Sequence, residues 1–152
     1  MQRINWTRVI LGGLLAGVVI NAGEFLINGL LLAGRWAAGM KALGRSASLG
    51  VLPYAIFNLW GFLIGLFALW LYATIRPRFG AGPRAAVIAA IATWIPGSLL
   101  ASMEPVALHL FSRRLYAIGV AGALIEIVLA TLIGAWLYKD RETAPLAAAP
   151  AS

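Results

Sequence analysis

The chain contains no cysteine and a single histidine, His109. The first absence excludes disulfides, thiolate metal sites and cysteine nucleophiles. The second leaves a metal ion only carboxylates as partners for one imidazole, so no metal site is expected. Charge is scarce too, at 11% of residues, where soluble domains average roughly 25%. Acid is scarcest, with five residues in all. Lys and Arg are missing from four apolar blocks, Val9–Ala33, Val51–Ile75, Ala85–Phe111 and Leu115–Tyr138. Each block exceeds the ~20 residues that carry a helix across a ~30 Å hydrocarbon core. Barrel strands would alternate apolar and polar residues, whereas Leu59–Trp70 is apolar on every side.

The expected fold is therefore all-α, an integral membrane four-helix bundle with spans at about 9–33, 51–75, 85–111 and 115–138. Residues 1–143 form the bundle domain, and the Ala/Pro-rich 144–152 reads as a disordered tail. The first block is read as a retained span, since it runs unbroken and offers no small-residue cleavage site. Arg76–Arg84, with two Pro and two Gly, reads as a turn that ends the second helix. In the first connection Trp36, Met40 and Leu43 recur at helical spacing. A short interfacial helix is expected there, either anchored on lipid or lying over the bundle mouth.

The chain carries twelve basic residues and a formal charge of +7, yet they are spread over every connection and terminus. No basic stripe is left for nucleic acid, and the bilayer itself is the expected partner. Arg3, Arg8, Arg76, Arg78, Arg84, Lys139 and Arg141 share the terminal side. Arg35, Lys41, Arg45, Arg113 and Arg114 share the other. The positive-inside rule then favours cytoplasmic termini, in a bacterial inner membrane. Gly61 and Gly65 match the GxxxG pattern, which serves packing within the bundle or a homodimer face equally well.

Three acids, Glu24, Glu104 and Glu126, lie within the apolar blocks. An ionisable side chain in hydrocarbon is costly, and by default marks a functional position. Asn21, Asn28 and Asn58 add amides on the faces that also carry the small residues, so all six are expected to point inwards. By the helical rise Glu126 sits near the bilayer centre. Glu24 lies roughly 5 Å, Asn58 roughly 7 Å and Glu104 roughly 9 Å towards the side away from the termini. Protonation, amide hydrogen bonds or a captured cation would each stabilise such acids. Pro96 and Pro105 are placed to kink the third span beside Glu104. Ser98 has no acid–base pair to make it a nucleophile. No catalytic constellation and no cofactor motif is present, so the expectation is a non-enzymatic protein that binds or moves protons or a small cationic or lipophilic molecule. An accessory subunit of a larger membrane complex is the alternative.

The segments Gly34-Arg-Trp-Ala-Ala-Gly-Met-Lys, Phe111-Ser-Arg-Arg-Leu-Tyr, Leu124-Ile-Glu-Ile and Ile133-Gly-Ala-Trp, in this layout, resemble small four-helix bacterial membrane proteins of the domain-of-unknown-function type. That resemblance implies the bundle fold and carries over no activity and no site residues.

Overall fold

A computed structural model describes residues 4–138. The Ala/Pro tail, and with it the expected domain boundary after residue 143, lies outside them. Five helices account for nearly all the described chain: α1 (Trp6–Leu31), α2 (Ala33–Ala42), α3 (Val51–Phe79), α4 (Pro83–Ala107) and α5 (Arg113–Trp136). All except α2 are long and apolar enough to cross a membrane. Their outer faces carry Leu, Ile, Phe and Trp side chains that are largely exposed along their length. Water would not tolerate that surface, and hydrocarbon does. The molecule is a multi-pass membrane bundle.

Lipid tails give helices no hydrophobic reason to associate, so close backbone approach must supply the packing. Glycine supplies it here. A Cβ on Gly65 would lie 2.5 Å from the Gly17 nitrogen and 2.6 Å from the Gly13 oxygen, which places α3 directly on the α1 backbone. A Cβ on Gly12 would lie 2.7 Å from the Gly134 oxygen, so α5 meets α1 equally closely. Gly61 and Gly65 therefore face α1 inside the bundle. Alanines complete the core: Ala16, Ala68, Ala86, Ala89, Ala90 and Ala130 are fully buried. Helix α1 packs between α3 and α5, and α4 closes the ring against the same two helices.

The end nearest the termini is sealed. The Tyr138 hydroxyl accepts from the Asn5 backbone N–H at 3.2 Å, and the Tyr72 hydroxyl accepts from that of Gly82 at 3.3 Å. The two tyrosine rings meet edge-on at 5.8 Å, and the Arg76 guanidinium lies 5.2 Å from the Tyr138 ring centre.

Two boundaries depart from the sequence expectation. Helix α3 does not end at Arg76; it continues through Pro77 to Phe79, and only Gly80–Gly82 turns. Pro77 costs the helix one N–H, but it falls in the last turn, which the Gly80 N–H closes on the Arg76 carbonyl at 2.9 Å. The turn needs Gly80 and Gly82 at φ 85° and 128°, and Pro83 starts α4. Helix α4 stops at Ala107, earlier than Phe111, because His109 adopts φ 54° and the Leu110 N–H reaches back to the Pro105 carbonyl at 3.1 Å. His109 is a helix-stop residue.

Two stretches are wound with i→i+5 hydrogen bonds, Phe25–Leu31 in α1 and Ile95–Leu100 in α4. The second has Pro96 as its second residue, whose missing N–H and bulky ring break the regular ladder. The first begins immediately after Glu24 and ends with Leu32 N–H on the Ile27 carbonyl at 2.8 Å. Wide turns of this kind recur at functional sites.

Candidate functional site

Away from the sealed end the helices part around a cavity of ≈ 880 Å3. That is within the ~300–1,000 Å3 of small-molecule sites. Its walls are mainly apolar and aromatic, with Phe57, Trp60, Ile64 and Ile127 among them, and its polar groups are few.

Five of the six residues singled out from sequence line it: Asn21, Glu24, Asn28, Asn58 and Glu126. Glu104 does not. It sits exposed on α4 beyond the wide turn, outside the cavity wall. The expectation that all three acids point inwards is corrected at this residue.

Glu24 and Glu126 come from separate helices, α1 and α5, and both line the cavity. Glu126 is 6% exposed. Both of its carboxyl oxygens are buried, and no donor reaches either one. Gly23 leaves room for Glu126. A Cβ there would stand 2.6 Å from the Glu126 Cγ.

Glu24 is held from the other side. The Asn28 Nδ2 donates to its Oε2 at 2.5 Å, while the Asn28 Oδ1 accepts from the Trp36 Nε1 at 3.0 Å. Asn28 thus links Trp36 on α2 to the acid pair by two hydrogen bonds in series. Trp36 is fixed against Phe111 and Tyr116 by edge-on ring contacts at 5.0 and 6.1 Å. Trp36, Ala37 and Met40 all face the cavity. Between the two placements expected for α2, this is the one over the bundle mouth.

The other two amides have a more structural task. Asn21 donates to the Gly17 carbonyl at 2.9 Å and across to the Asn58 carbonyl at 3.1 Å, with Gly61 leaving room for its side chain. Asn58 donates to the Tyr54 carbonyl on its own helix at 2.8 Å. Asn21 therefore ties α1 to α3 at the cavity floor, and its amide protons are already committed.

Among the described residues no Lys or Arg lines the cavity; besides the two acids, its titratable side chains are Tyr54 and Tyr116. Among the described residues no group of three or more His, Cys, Asp or Glu is placed to hold a metal ion. The sequence does not single out Phe111 and Tyr116 as wall residues, since an aromatic near a helix end suits a lipid belt as well as a cavity wall. Comparison with family models, curated proteins and solved structures returned no match for this chain.

Proposed function

We propose that this protein binds a small cationic or lipophilic guest in the cavity and exchanges it for a proton held between Glu24 and Glu126. One observation carries this reading: two acids from separate helices line one cavity with no basic side chain among the described residues, and the deeper one has two buried oxygens with no donor among them. A charge in that position demands a counter-charge or a proton. One proton held there lowers the combined charge of the two carboxylates from −2 to −1 in the empty state, and a monovalent cation does the same in the occupied state. The sealed end and the open end are the arrangement that exchange from one side requires.

The setting proposed is a bacterial inner membrane with cytoplasmic termini, supported by the bias in basic residues between the two sides. The likeness to small four-helix bacterial membrane proteins is in keeping with it.

The test uses proteoliposomes and tetraphenylphosphonium as the guest. Wild-type protein is expected to take up the cation in response to a pH gradient and to release protons on binding it. Glu24→Gln and Glu126→Gln are expected to abolish both while the bundle stays folded. Flux and proton release unchanged in both variants would remove the reading. Co-purification of a fixed partner chain, together with indifference to both substitutions, would favour the accessory-subunit alternative.

A further inference from the structure

One flank of the cavity is bordered by a bare stretch of α3. Helices α3 and α4 pack together along Pro83–Trp94, but beyond the wide turn at Pro96 the outer half of α4 takes α5 as its main partner. The outer part of α3 is left bare. From Val51 to Trp60 every residue except Pro53 is exposed. Trp60 lines the cavity and is also 56% exposed, so one indole borders both the interior and the surface. Ser98 lines the cavity from the facing stretch of α4. Trp60 of α3 and Ser98 of α4 thus border the same flank of the cavity, while α2 and Ala47 and Leu49 of the connection that follows it line the end away from the termini.

We infer that the guest is a cationic amphiphile drawn from the bilayer itself, which enters head-first between α3 and α4 and leaves its alkyl chain along Trp60. This rests on the carboxylate-cavity reading above and narrows it. Charge complementarity selects the head, because the lining offers two carboxyls and, among the described residues, no cation. The apolar, aromatic wall and the bare flank of α3 select the chain, since such a wall rewards alkyl burial and gives little to a hydrated ion. An ammonium head brought to Glu126 meets two acceptor oxygens that have no donor among the described residues.

The experiment places the intact protein in lipid nanodiscs and titrates 12-bromododecyltrimethylammonium, whose bromine quenches nearby tryptophan emission. Wild-type protein is expected to show saturable quenching at low mole fraction, with a component that disappears in Trp60→Phe. Glu126→Gln is expected to raise the half-saturating mole fraction at least tenfold, which random collisions in the bilayer would not do. A hundredfold excess of tetramethylammonium, the head without the chain, is expected not to compete. Ser98→Trp, which adds an indole on that flank, is expected to slow association at least tenfold, and shortening the chain from twelve carbons to four to weaken occupancy in wild-type protein.

If tetramethylammonium competes on equal terms, or chain length has no effect, the amphiphile inference falls and the cavity reading stands. If quenching is the same in wild type, Glu24→Gln and Glu126→Gln, both fall.

Discussion

At the scale of single residues, the site depends on one amide. Asn28 donates to Glu24 and accepts from Trp36. Leucine there is close in volume but serves neither bond, and it leaves the Trp36 N–H and the Glu24 carboxyl without that partner. Asn28→Leu and Trp36→Phe are each expected to lower stability by about 1 kcal/mol, and the double variant by little more than either alone. Reversible unfolding in detergent, run as a double-mutant cycle, checks this. Additive losses would show that the two bonds are independent. Gly23 is a second single-residue control. Gly23→Leu puts side-chain atoms where Glu126 lies, and is expected to abolish guest-induced proton release without touching either acid.

At the scale of helices, the contrast between glycines is sharp. Gly65 and Gly12 have a neighbouring backbone in the space a side chain would take, whereas Gly34 has nothing within 4 Å. Backbone cannot step aside as a side-chain tip does, so Gly65→Val and Gly12→Val are each expected to cost about 1–3 kcal/mol or prevent assembly. Gly34→Ala is expected to cost nothing. Thermal stability in detergent separates the three. The wide turn at Pro96 gives a geometric prediction. Pro96→Ala restores a backbone donor and removes the ring clash, so the outer half of α4 is expected to move towards α3. A pair of spin labels at Leu59 and Met103, both exposed, should report a shorter distance, and binding of the bromoalkyl cation should weaken in parallel. Apolar blocks and Pro96 are visible in a linear sequence. The wide turn after Glu24 is not, since no proline or other breaker stands at Phe25 to announce it.

At the scale of the whole molecule, one end is closed by glycine packing and by the Tyr72, Tyr138 and Arg76 cluster, and the other opens around two acids. Orientation therefore decides which compartment the mouth of the cavity faces. Because the chain has no cysteine, single reporters are simple to place. With cytoplasmic termini, Ser46→Cys is expected to react with a membrane-impermeant maleimide added outside the cells, and Ala81→Cys only after lysis. The reverse pattern would invert the orientation and turn the mouth towards the cytoplasm.

The number of spans, their all-α class and the presence of costly acids within them were legible from the sequence, because each follows from hydropathy and length. Those properties belong to a chain segment taken alone. Which acids share a cavity was not legible. Glu24 and Glu126 line one cavity, with Gly23 leaving room for Glu126, while Glu104 lies exposed outside it; both depend on how neighbouring backbones pass. The sequence likewise left α2 undecided between lipid and cavity, since its aromatic spacing suits either. Only the packing of Trp36 against Phe111, Tyr116 and Asn28 resolved it, because a side chain's partners across a bundle are set by helix approach and not by its own neighbours along the chain.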